Sequence, residues 1–129
     1  VPENPAVDEL ADADELLYDL SRIRDAASGD EEFVVELIEI FISDTSELAG
    51  ELETAIDRSS ADPLKRCAHS IKGMAATMGS ETLRETAYQV EQLAATEDFE
   101  TARRLFNPFQ SQLSSVHQAL ERFLQTKNI

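Results

Sequence analysis

Apolar side chains recur every three or four residues along four long stretches of this chain. That spacing gathers them on one helix face, and strand-like alternation is found nowhere. Val34, Ile38, Phe41, Leu48, Leu52 and Ile56 form the first stripe, on a helix that Asp30 can cap and that runs to about Arg58. Its first turns are apolar over a wider arc (Phe33, Val35, Leu37, Ile40, Ile42), which must face more than one neighbour, or a partner. After a short connection at 59–62, with Pro63 suited to a first helical turn, Leu64, Cys67, Ala68, Ile71, Ala75 and Met78 form the next stripe. Gly79 suits the left-handed position at that helix's end, and Ser80 can cap a following helix on Leu83, Ala87, Val90 and Ala94. The last helix spans about Phe99 to Gln125 on Phe106, Phe109, Leu113, Val116, Leu120 and Phe123, and Asn107-Pro108 is expected to kink or interrupt its first third. Ahead of these, ELLYDLSRIRDAA reads from about Asp14 as a short amphipathic helix on Leu16, Leu17, Leu20 and Ile23, ended by Gly29. The pattern implies an all-α fold: an antiparallel, up-down four-helix bundle with an additional short N-terminal helix.

A length of 129 residues suits one domain with its core. Residues 1–13, acidic and carrying two prolines, read as a linker or tail, and 14–129 as the bundle domain. The non-Met start and the proline-bearing lead favour a module of a longer chain over a free-standing protein. With 26 acidic against 11 basic residues the net charge is −15, so nucleic acid and anionic membrane surfaces are both repelled and neither is an expected partner. No apolar run approaches the ~20 residues needed to span a bilayer, and no basic segment precedes an apolar one. The single cysteine, Cys67, excludes an internal disulfide and fits a reducing compartment, so a cytoplasmic location is expected.

The charge is uneven. The first 20 residues hold seven acids and no base, whereas residues 63–80 hold Lys65, Arg66 and Lys72 and no acid. His69 lies inside that basic island. At about 100° per residue it stands roughly 160° round the helix from Ile71, so its imidazole points outward, on a face shared with Lys65, Lys72, Gly73 and Ala76. An outward histidine alone is an ordinary surface residue; here its neighbours give it a context. Glycine costs roughly 1 kcal/mol relative to alanine inside a helix, and Gly73, one turn along, removes the side chain that would crowd the ring. Lys72 places a cation within reach of an anion carried on that ring. An exposed imidazole with a clearing beside it and a cation nearby is suited to hold a phosphoryl group and to admit another protein's active site.

His69, Lys72 and Gly73, followed by the turn glycine Gly79, resemble the signature of the histidine-containing phosphotransfer (HPt) domains of multistep two-component signalling. GDEEFVVELIEIFISDT (29–45) is similar to that family's second helix, and DPLKRCAHSIKGMAATMGSETL (62–83) to its third helix and the turn after it. The likeness covers about residues 14–125. The family usually carries a Gln or Glu on the next helix that hydrogen-bonds the other imidazole nitrogen. With the turn centred near 79–80, antiparallel geometry puts His69 level with residue ~90. Glu91 is the position that matches the family's, with Tyr88, Gln89 and Gln92 beside it. Read without the resemblance, Glu91 is equally an ordinary solvated glutamate.

The resemblance implies a mechanism: His69 Nε2 attacks a receiver-domain phosphoaspartate in line, and the phosphoryl group later passes to a second receiver's aspartate. Lys72 would offset phosphate charge, Gly73 give steric clearance and Glu91 orient the ring. It implies no intrinsic cofactor, since Mg²⁺ would belong to the receiver. The expected partners are response-regulator receiver domains, docked over Lys65, Ala76 and part of the broad arc, with Phe33, Leu37 and Ile40 foremost. A hybrid histidine kinase is a candidate for the longer chain, and the segment itself is expected to be a monomer.

Elsewhere His117, beside Val116 and Leu120 at the core edge and four residues before Glu121, reads as structural, and Met74 and Met78 as packing. Cys67 lies on the buried stripe, so neither a metal nor a redox site is expected there, and no inward-facing Glu-x-x-His pairs are present for a metal-binding bundle. Two rivals remain at this stage. The phosphoacceptor helix of a sensor kinase's dimerisation domain has His followed by Glu or Asp, where this chain has Ser70, and the glycine-rich nucleotide-binding segments of a kinase are missing. The other is a helical adaptor without phosphate chemistry.

Overall fold

A computed structural model describes residues 17–127. Among the described residues five helices follow one another: α1 (Leu20–Ala26), α2 (Glu31–Asp57), α3 (Ala61–Met78), α4 (Glu81–Ala95) and α5 (Phe99–Thr126). No strand occurs among the described residues. Helices α2 to α5 pack as an antiparallel up-down bundle, each against the next and α5 back against α2, while α1 lies against α2 and α3. The lead at 1–13 and the proposed helix start at 14–16 lie outside the described residues. Within them, α1 does not begin before Leu20. Tyr18 and Asp19 are non-helical, and the Asp19 carboxylate accepts the backbone N–H groups of Ser21 and Arg22 as an N-cap.

The core follows from the stripes. All six apolar positions read for α3 are buried, as are Leu83, Ala87, Val90 and Ala94 of α4. On the flanking helices Leu48 and Phe123 are only half-buried, and the core is completed by small side chains: Ala49 and Ala55 on α2, Ala102 and Ala119 on α5. Small residues at these points let helices approach closely, as tight packing between bulky neighbours requires. Asp30 caps α2 as expected, accepting from Glu32 and Phe33 N–H.

Helix length explains the extra helix. α2 and α5 have 27 and 28 residues, against 18 and 15 in α3 and α4. Cross-links between α2 and α5 at Asp57–Arg103, Thr45–His117 and Glu31–Lys127 set one antiparallel register along their full length. Their shared end therefore overhangs the α3–α4 hairpin, and α1 fills the gap, with Ile23 wholly buried and the Asp19 N–H donating to Met78 O at 2.9 Å.

Two local expectations are corrected. Ser80 stands at the N-cap of α4 without capping it: its hydroxyl donates to Leu17 O at 2.6 Å instead, tying the residues ahead of α1 to the α3–α4 turn. Pro108 does not interrupt α5, which is continuous from Phe99 to Thr126. Pro108 is exposed, so the carbonyl it leaves without an N–H partner can take water, while buried Phe106 and Phe109 on either side hold the helix to the core. Gly79 matches its expected role and adds another. Its φ of +69° is left-handed, and a Cβ there would clash with Asp19 Cβ and meet the Asp19 backbone nitrogen at 2.9 Å, so the turn glycine also admits the start of α1.

Candidate functional site

Because α3 buries Leu64, Cys67, Ala68, Ile71, Ala75 and Met78, its opposite face is turned to solvent and carries His69. The short turn through Gly79 and Ser80 brings α4 back alongside α3, with Glu91 level with the imidazole. Glu91 Oε2 lies 2.6 Å from His69 Nδ1, and its other oxygen, Oε1, lies 2.7 Å from Lys72 Nζ. The three side chains are exposed very unequally: 68% for His69, 26% for Lys72 and 13% for Glu91.

This inequality sets the chemistry. The Lys72 ammonium holds the Glu91 carboxyl below the usual carboxylate range; burial pulls the other way, and the hydrogen bond from His69 reinforces the lysine. An ionised carboxylate can only accept, so Nδ1 must donate to it, and the neutral imidazole then carries its proton on Nδ1. Nε2 is left with a free lone pair on the solvent side of an exposed ring.

Lys72 has a second neighbour on α4. Besides the carboxylate, its ammonium lies 5.3 Å from the centroid of the Tyr88 ring, and Gln92 Nε2 donates to the Tyr88 hydroxyl at 2.9 Å. Gly73 is exposed, and a Cβ built on it meets nothing within 4 Å, so no internal contact requires the glycine. Lys65 is exposed and Ala76 half-buried on the same face, and the Ala76 carbonyl accepts from Arg22 Nη1 at 3.3 Å.

Phe33 and Ile40 on α2 are exposed, at 40% and 51%, whereas Leu37 is half-buried against the core. The contact of Cys67 Sγ with Glu51 Oε2 at 3.7 Å fixes the α2–α3 register. Ile40 therefore stands level with Met78, nine residues or ~14 Å along the axis from His69. The apolar flank lies at the α1 end of the bundle, and the imidazole nearer its middle.

The remaining singled-out residues are internal. The Thr45 hydroxyl donates to Phe41 O at 2.5 Å and accepts from His117 Nε2 at 2.8 Å, with the Phe41 and His117 rings edge to face at 5.9 Å. Burial lowers the His117 pKa, partly opposed by Glu121. Burial pushes the Cys67 thiol up, and Glu51 adds to this, so it is no reactive thiolate. Among the described residues no group of three or more His, Cys, Asp or Glu is placed to hold a metal, and no helix is long and apolar enough to cross a membrane. Tyr88 and Arg22 were not read as site residues from the sequence. The signal for Tyr88 was its spacing, three and four residues before Glu91 and Gln92.

Comparison with known proteins agrees with this geometry. The family model described as Hpt domain matches residues 36–126. No curated protein sequence matches the chain significantly. Among solved structures, histidine-containing phosphotransfer protein B (HptB) of Pseudomonas aeruginosa PAO1 is similar at 22% identity and TM-score 0.79, over 85% of this chain and 96% of that one. The maize histidine-containing phosphotransfer protein ZmHP2 is similar at 18% identity and TM-score 0.79, over 92% and 98%. The HPT domain of a sensor hybrid histidine kinase from Shewanella is similar at 14% identity and TM-score 0.73, over 85% and 95%. At these identities the structures speak for the fold alone; the family model spans most of the bundle together with His69, Lys72, Gly73 and Glu91, and by it the chain belongs to the Hpt domain family.

Proposed function

We propose that this phosphotransfer module of two-component signalling carries its phosphoryl group on His69 Nε2, between the aspartates of two receiver domains. The observation that carries the reading is the shared carboxylate of Glu91, which accepts from His69 Nδ1 and from Lys72 Nζ together. In the accepting step the Nε2 lone pair attacks the phosphorus of a receiver's phosphoaspartate. The N–P bond forms, the P–O bond to the aspartyl carboxyl breaks, and the aspartate leaves as carboxylate with the bonding pair. Nδ1 keeps its proton, and the positive charge gained by the ring faces the Glu91 carboxylate. Lys72 offsets part of the phosphoryl charge, and the clearing at Gly73 admits the receiver. In the donating step a second receiver's aspartate attacks the same phosphorus and Nε2 leaves with its lone pair.

No metal is assigned to this chain; the Mg²⁺ that assists the transfer sits with the receiver's aspartate. Receivers dock over the α3 face with Lys65 and Ala76, and extend toward Phe33, Leu37 and Ile40. The module acts as a monomer in the cytoplasm. Support for the monomer lies in a bundle closed within one chain, where a kinase dimerisation domain needs two.

The test is incubation with a radiolabelled phosphorylated receiver domain, comparing the wild type with His69→Gln. Acid-labile, alkali-stable label on the wild type alone is the expected result. Label from ATP but from no receiver would make the chain a kinase fragment, and no label from either donor would leave a helical adaptor.

A further inference from the structure

Tyr88 is one of three large apolar side chains left exposed among the described residues, at 44%. Unlike Phe33 and Ile40, it is ordered by polar contacts on its own helix. Its hydroxyl accepts from Gln92 Nε2 at 2.9 Å, and its ring lies 5.3 Å from Lys72 Nζ. Lys72 thus has two neighbours on α4: its ammonium lies 2.7 Å from the Glu91 carboxylate and near the Tyr88 ring.

A lysine has four rotatable bonds and about 2 kcal/mol of side-chain entropy to lose on being fixed. One ion pair at a partly exposed site holds such a group weakly, because solvent competes for it. A ring beside the ammonium narrows its range without neutralising its charge. That difference matters here. A second carboxylate in the same place would hold Lys72 as well, but it would repel a phosphoryl group arriving on the neighbouring imidazole. The ring attracts the cation through its quadrupole and brings no net charge to oppose the phosphate.

We infer that Tyr88 is a positioning residue for phosphotransfer, acting through Lys72: its ring keeps the ammonium beside His69 so that it meets the phosphoryl group on Nε2. The inference rests on the proposed phosphocarrier role of His69. Tyr88 touches no reacting atom, and its effect is measured on the lifetime of the phosphohistidine and on the environment of the lysine.

The experiment uses the full chain as wild type, Tyr88→Leu and Tyr88→Phe. In unphosphorylated protein, NMR of the Lys72 side-chain methylenes reads the upfield ring-current displacement that a neighbouring ring produces. It is expected in the wild type and Tyr88→Phe and lost in Tyr88→Leu. After labelling from a phosphorylated receiver, the phosphohistidine of Tyr88→Leu should decay about two- to fivefold faster, the factor equivalent to one cation–ring contact at a half-exposed site. Tyr88→Phe should restore the lifetime, since the ring and not the hydroxyl acts on Lys72. If Tyr88→Leu melts lower yet keeps the wild-type lifetime, the ring is only packing and the inference is overturned. Unchanged lysine shifts in Tyr88→Leu would overturn it as well. A wild type that takes no label from any receiver would instead bring down the phosphocarrier reading, and with it the role given to Tyr88, whereas the lysine shifts would still report whether the contact exists.

Discussion

Removing the shared carboxylate should change which nitrogen of His69 carries the proton. In Glu91→Ala neither Nδ1–H nor the Lys72 ammonium keeps its acceptor. A hydrogen bond to a charged group contributes about 1.5–3 kcal/mol, and water competes at an imidazole that is 68% exposed. A residual bias of about 1–1.5 kcal/mol remains, which is roughly a tenfold shift in the ratio of the two neutral tautomers. Glu91→Gln should fall between alanine and wild type only where its oxygen still accepts from Nδ1. An amide has a single acceptor oxygen; if it serves Lys72, the NH₂ group faces Nδ1 and demands the opposite tautomer.

The assay is ¹⁵N NMR of the His69 ring, which separates protonated from unprotonated nitrogens, paired with the rate of label uptake from a phosphorylated receiver. If only the Nδ1–H tautomer presents a free Nε2, both readouts move in the same direction in Glu91→Ala: a ratio shifted about tenfold toward parity lowers the Nδ1–H population, and with it the rate, about twofold. A tenfold loss of rate with an unmoved tautomer ratio would refute the reasoning and leave Glu91 acting through Lys72 alone. The arrangement also has an acid limit. Lys72 holds the folded Glu91 carboxyl below its unfolded value, so its contribution is complete above about pH 4.5 and is lost as pH falls through the lower, folded value.

Three further outcomes can be checked on the same protein. Lys72→Ala should cost less than about 1 kcal/mol of stability, as expected for a partly exposed pair, yet slow receiver transfer about tenfold; a large fall in melting temperature with normal transfer would overturn this. Gly73→Leu should raise helix stability by about 1 kcal/mol, since a Cβ there meets nothing within 4 Å, while blocking transfer by standing in the receiver's way; wild-type transfer would show the clearing to be incidental. The third outcome concerns His117, whose folded pKa is lowered by burial: the native state binds fewer protons than the unfolded chain, so the stability tied to the neutral ring is complete above its ordinary value of about 6.5 and is lost as pH falls through the folded value. Melting curves of wild type and His117→Gln between pH 7 and 5 should diverge accordingly, and parallel curves would count against the Thr45–His117 pair as a pH-sensitive element.

The stripes of α3 and α4 were legible because burial there is a matter of periodicity alone: each helix turns one face to the core, and that face is the apolar one. The connection at 59–62 was legible as a connection, but left-handed backbone was legible only where glycine marks it. Gly79 announced the end of α3, but Ser59 and Glu97, at φ of +50° and +57°, turn the chain without one; a non-glycine residue can be held left-handed at roughly 1 kcal/mol when the helices on both sides are packed. Ser80 misled for a related reason. Its sequence context offers a cap, while its hydroxyl is taken by Leu17 O, a partner 63 residues away that no local pattern encodes. The same division runs through the site. That His69 faces outward and that α4 passes beside it near residue 90 follow from 3.6 residues per turn and a turn at Gly79. That one carboxylate serves both His69 and Lys72 does not, because it depends on where two long flexible side chains end. Lys72 reaches Glu91 from one turn further along α3, across the helix pair, and passes Tyr88 on the way. A lysine already paired with a half-buried carboxylate is a poor free charge, but it is a prepared one. On the proposed phosphocarrier reading, a phosphoryl group on Nε2 would need only to share an ammonium that Glu91 and Tyr88 already hold, and the entropy of ordering that side chain would be spent before a receiver arrives.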